Sequence, residues 1–127
     1  MYWKFIHLEL KSMTGIKGVW IRDVMELNEE NFDREVIRSK IPVFVFFWAS
    51  WCTACKRTQE MVKKLDGEYS EKMKIHSLNV DRNFTISERY NIRGVPTFIV
   101  FVDGSETKRE IGAKSKKQLE EMISEFV

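Results

Sequence analysis

The stretch Val43-Phe44-Val45-Phe46-Phe47-Trp48-Ala49-Ser50-Trp51-Cys52-Thr53-Ala54-Cys55-Lys56 decides the architecture, because two periodicities meet inside it. Val43 to Trp48 is an unbroken run of β-branched and aromatic residues, the pattern of a central strand covered on both faces. After Ser50 the period changes. Met61, Val62 and Leu65 recur against Lys56, Arg57, Lys63 and Lys64, which predicts a helix from about Cys52 to about Tyr69. Cys52 therefore falls in the first turn of a helix that leaves a buried strand.

The same alternation extends in both directions. Upstream, Asn28 can cap a helix with Glu29 and Glu30 in its first turn and Phe32, Val36 and Ile37 on one face, and Pro42 ends it. Downstream, Lys74 to Val80 reads as a second buried strand and Asn83 to Tyr90 as a short helix capped by Asn83. Thr97 to Val102 and Glu106 to Ile111 flank Asp103-Gly104-Ser105, a hairpin turn in which Gly104 supplies a positive φ. Ser115 followed by Gln118 is a capping box for a last helix on Leu119, Met122, Ile123 and Phe126. A strand, crossover helix and strand should be parallel and right-handed, whereas the hairpin is antiparallel. The expected class is α/β, a mixed sheet with helices on both faces.

At 127 residues the chain suits one domain. The expected division is an N-terminal extension of unknown role over 1–22, whose apolar residues follow no clean period, and a domain over 23–127. Composition is 43% hydrophobic and 31% charged, ordinary for a globular chain, and the net charge of +2 leaves no footprint for nucleic acid. The longest apolar run, Ile41 to Ala49, is far too short to span a membrane, and no signal-peptide pattern opens the chain. A cytoplasmic location, with neither nucleic acid nor membrane as partner, is the expectation.

Both cysteines lie in one four-residue window, too close to staple a fold, so their role is chemical. A thiolate attacks disulfides, and an unperturbed thiol of pKa about 8.5 is only a few per cent ionised at pH 7. A helix N-terminus offers unpaired N–H groups and the positive end of the dipole, which stabilise that anion at Cys52. Cys55, one turn on, is placed to resolve a mixed disulfide formed at Cys52. Tetrahedral zinc needs four ligands, and two cysteines with His7 and His76 far away do not supply them, although a metal or cluster bridging two chains is a remaining alternative. His7 and His76 are not assigned as catalytic, His76 being read as a satisfied packing residue, and Glu26, Asp33 and Asp81 have ordinary solvent and capping readings.

The run Phe47 to Lys56 resembles the active site of the thioredoxin family. Leu78-Asn79-Val80-Asp81, Tyr90-Asn91-Ile92-Arg93-Gly94-Val95-Pro96-Thr97, Asp103-Gly104, and Ile111-Gly112-Ala113 with Ser115 and Lys116 continue the likeness without gaps. The resemblance implies the thioredoxin fold with a cis Val95-Pro96 bond and Pro96 beside the cysteines. It also implies a monomeric oxidoreductase that reduces protein disulfides through its own Cys52–Cys55 pair, without a cofactor, and is recharged by a reductase. Substrate would bind against Trp51, Thr53, Ala54, Val95, Pro96, Ile111, Gly112 and Ala113.

Departures from the family matter equally. Thr53-Ala54 replaces the common Gly-Pro pair, so the reduction potential should differ. Phe46 stands where the family has a buried acid that assists the inner cysteine, and Ser77 where a lysine often partners that acid. Release of mixed disulfides at Cys55 should therefore be slow, and a binding or scaffold module with poor turnover is the rival reading.

Overall fold

The computed structural model describes residues 24–127; the extension expected over 1–22 lies outside them, as does His7. The elements are β1 (Met25–Leu27), α1 (Asp33–Ile37), β2 (Val43–Trp48), α2 (Thr53–Tyr69), β3 (Lys74–Asn79), α3 (Phe84–Arg89), β4 (Thr97–Val102), β5 (Ser105–Ile111) and α4 (Lys116–Ile123), which runs into a 3₁₀ turn at Ser124–Phe126. They build one five-stranded sheet in the order β1-β3-β2-β4-β5. β1 and β2 both run parallel to β3, while β4 is antiparallel to β2 and to β5. The sheet is mixed, as the patterning predicts.

β2 is apolar throughout because both its faces are covered. Phe44 and Phe46 point to one side, stacking on Phe98 at 5.9 and 5.6 Å, and pack with Val100 and Ile75 beneath Val62 and Leu65 of α2 and Leu119, Met122 and Ile123 of α4. Val43, Val45 and Phe47 point to the other, with Leu78, Ile99 and Phe101 beneath Phe32, Val36 and Ile86. Each such side chain removed from water contributes about 1.5–3 kcal/mol before entropy is counted. No helix of the described residues is long and apolar enough to cross a membrane.

Local signals behave unevenly. The Asn28 side chain accepts from the N–H groups of Glu30 and Asn31 at 2.8 and 2.9 Å, as expected, but the helix beyond is one wide turn closed by Arg38 N–H on the Asp33 carbonyl. Ser115 and Gln118 form the expected capping box. Asn83 precedes α3 without capping it. Its amide instead donates to the Asn79 carbonyl at 2.9 Å, a buried bond that ties the helix start to the end of β3. At the hairpin both Asp103 (φ 52°) and Gly104 (φ 79°) are left-handed. Glycine is needed there twice over, since a Cβ on Gly104 would lie 2.7 Å from the Ile37 carbonyl oxygen.

Candidate active site

β2 ends at Trp48, and the chain turns through Ala49-Ser50-Trp51 into α2, whose N-cap is Cys52 with extended backbone (φ −89°, ψ 109°). An N-cap side chain ordinarily offers oxygen to the free N–H groups of the first turn. Here sulfur takes that place: the Cys55 N–H donates to Cys52 Sγ at 3.1 Å. Cys52 and Cys55 are joined as a disulfide with Cα atoms 5.3 Å apart. Cys52 is 7% exposed and Cys55 1%, so the first is the sulfur nearer to solvent.

Several of the residues expected to bind substrate lie on segments next to this pair. Val95-Pro96 is cis, and Val95 and Ala54 pack on the cluster that holds both cysteines. The Gly112 N–H donates to the Pro96 carbonyl at 2.9 Å, with Gly112 at φ 96°, so the Ile111-Gly112 segment is bonded to Pro96. Trp51 and Ile111 are 68% and 61% exposed, unusual for such large apolar side chains, while Thr53 and Ala113 are exposed small residues at the edges. Among the described residues, no group of three or more His, Cys, Asp or Glu side chains is placed to hold a metal.

The family model for thioredoxin matches residues 23–125. The chain belongs to the thioredoxin family. It is 35% identical to the thioredoxin of Porphyra purpurea over 82% of this chain and 97% of that protein, and 35% identical to the thioredoxin of Buchnera aphidicola (Schizaphis graminum strain) over 82% and 96%. The chloroplastic M-type thioredoxin of Spinacia oleracea is also 35% identical, over 84% of this chain, which spans 59% of the spinach protein's length. Thioredoxins exchange disulfides through their own cysteine pair without a cofactor, and Cys52–Cys55 is that dithiol/disulfide oxidoreductase site. The fold expected of a thioredoxin is present in full among the described strands.

Two side chains near the thioredoxin site differ from their sequence readings. Asp81 is not a plain solvent residue: its carboxylate accepts the Trp51 indole N–H at 2.9 Å and holds the exposed ring. Glu26, on edge strand β1, accepts from Ser77 Oγ at 2.7 Å and from the Trp48 indole at 3.2 Å, so it sits beside the positions where the family's acid and lysine are missing. Asp81 follows the C-terminal end of β3, where a parallel strand delivers its loop to the site edge, and that was its available signal. Glu26 has none, because the contact with Ser77 crosses 51 residues.

His76 is buried, but not satisfied. Neither ring nitrogen has a hydrogen bond, and Nε2 lies 3.3 Å from a Glu35 carboxylate oxygen without the alignment of one. Burial pushes its pKa down, and the nearby Lys74 adds to this, against the opposing pull of Glu35. Glu35, though burial alone would raise it, is held below the usual carboxylate value by its hydrogen bond from Arg34 and by Lys74 and His76. This group lies across the sheet from the cysteines.

Proposed function

We propose that the protein is a monomeric cytoplasmic reductant of protein disulfides, with Cys52 as the attacking thiolate and Cys55 as the resolving one. Reduced Cys52 attacks a substrate sulfur, which breaks the substrate disulfide, forms a mixed disulfide and releases one substrate thiolate. Cys55 then attacks Cys52 Sγ, closes the Cys52–Cys55 bond and releases the second thiolate, so two electrons pass to substrate. A reductase returns the pair to the dithiol.

The observation that carries the roles is Cys52 at the N-cap, its sulfur accepting the Cys55 N–H. That bond grows stronger when the sulfur is an anion, which lowers the cost of the thiolate. Trp51, Thr53, Ala54, Val95, Pro96, Ile111, Gly112 and Ala113 form the docking surface in this reading, with an extended substrate segment bonding the backbone at Val95.

Two measurements test it. Thiol-driven reduction of a protein disulfide should be fast for the native chain and fall to the uncatalysed rate for Cys52→Ser. A native rate no faster than that of the variant leaves a binding module instead. Alkylation of Cys52 against pH should have its midpoint clearly below the ordinary thiol value, and a normal midpoint would falsify the helix-terminus explanation.

A further inference from the structure

Resolution needs Cys55 as a thiolate, yet Cys55 is 1% exposed and shares a cluster with Phe46, Val62 and Phe98. Apolar burial raises the cost of ionising a thiol, so the step needs both an exit for the proton and a group to receive it. The Thr58 hydroxyl donates to the Ala54 carbonyl, and Asp81 is engaged by the Trp51 indole. Neither is well placed to serve.

The sheet register points elsewhere. Glu26 pairs with Ser77, Ser77 with Phe46 and Phe46 with Phe98, so these four form one row across β1, β3, β2 and β4. Residues in one such row project from the same face, here the face beneath α2. A cleft of about 280 Å³ opens over the row's edge, lined by Val24, Glu26, Phe46, Gln59, Val62, Lys63 and Ser77. Since a water takes about 30 Å³ of liquid, several fit, and the polar lining gives them partners. Gln59 on its helical wall is one turn from Cys55, roughly 6 Å along the axis.

We propose that Glu26 receives the Cys55 proton through water in this cleft, with Ser77 fixing the carboxylate. This rests on the dithiol mechanism above. Cys55 S–H gives its proton to the water chain, which delivers one to Glu26. The Cys55 thiolate forms the bond to Cys52 Sγ, the Cys52–substrate bond breaks, and the electron pair leaves with the substrate sulfur. The substrate disulfide is the oxidant, and Glu26 returns its proton to solvent. Glu26 is a positioning residue in this scheme and does not touch the sulfurs.

Stopped-flow oxidation of the reduced full chain by 5,5′-dithiobis(2-nitrobenzoate) separates the steps, because attack by Cys52 and resolution by Cys55 each release one nitrothiophenolate. Glu26→Gln, which keeps an acceptor oxygen for Ser77 and Trp48, should leave the first phase unchanged. It should slow the second about tenfold at pH 7, less than the ~10²–10⁴ of a base in direct contact, with the gap closing as rising pH ionises Cys55 unaided. Added formate should restore the second phase of Glu26→Ala, where the cleft has room for it. An unchanged second phase overturns the proposal, and so does a slowing that is equal at every pH and resists formate, which marks a structural role. Absence of the first phase in the native chain would instead sink the redox reading itself.

Discussion

The two faces of the sheet are equally dry, yet they treat their reactive groups in opposite ways. Beneath α2 and α4 the buried sulfurs sit at a helix start, where a backbone N–H is aimed at Cys52, and a cleft lined by Gln59, Glu26 and Ser77 opens beside the same helix. Beneath α1 and α3 the buried His76 has no hydrogen-bond partner at either ring nitrogen and lies near both a carboxylate and an ammonium. Burial alone thus does not make a site. What separates the faces is that a backbone N–H is aimed at the reactive sulfur on one, whereas the histidine ring on the other has no hydrogen bond.

The largest expected effect tests whether the far face is purely structural. Phe101→Ala removes a buried ring that contacts Phe32 and Tyr90, and should cost about 3–5 kcal/mol in urea unfolding. The Cys52–Cys55 reduction potential should stay unchanged. A similar truncation at Phe98, under the cysteines, should destabilise as much and also shift the potential; if both variants shift it equally, the division between faces fails. Gly104→Ala comes next. Its left-handed φ alone costs about 1–2 kcal/mol, and the 2.7 Å approach of a Cβ to the Ile37 carbonyl adds to that, with thermal unfolding as the measure.

How much of this contrast was legible in the sequence follows from range. Val43–Trp48 and Thr97–Val102 are strands over the residues expected, because double coverage leaves a contiguous apolar run. Cys52 at a helix start and the Ser115 box were legible because both ends of each contact lie within one turn. β1 was missed, since three residues carry no measurable period. Asn83 misled because an amide can donate as well as cap, and its donation to Asn79 won. The bonds from Trp51 to Asp81 and from Ser77 to Glu26 span 30 and 51 residues, and only the sheet order brings them together.

Trp51→Ala probes the functional face at its surface. With the ring 68% exposed, folding stability should barely move, while KM for a protein disulfide should rise about tenfold, in line with the ~1–2 kcal/mol of an aromatic docking residue. Asp81→Asn, which weakens the hold on the indole, should raise KM by less. An unchanged KM for both would remove Trp51 from the docking surface.

His76→Leu should have the smallest effect at neutral pH and the most specific one below it. His76 is depressed in the folded state by burial and by Lys74, only partly offset by Glu35. As pH falls below about 6.5 the unfolded chain binds a proton that the folded chain refuses, so stability declines from there down to the folded pKa. Glu35 acts lower down. Its depressed folded pKa contributes stability above the unfolded carboxylate value that is lost as pH falls through the folded one. Leucine removes the first decline and leaves the part of the second that Arg34 and Lys74 sustain at Glu35. At pH 7 it also deletes two unpaired buried nitrogens, so unfolding should be within about 1 kcal/mol of native. A decline that sets in just below about pH 6.5 and persists in His76→Leu would mean that His76 does not carry the acid sensitivity. The contrast between the faces would then rest on the sulfurs alone.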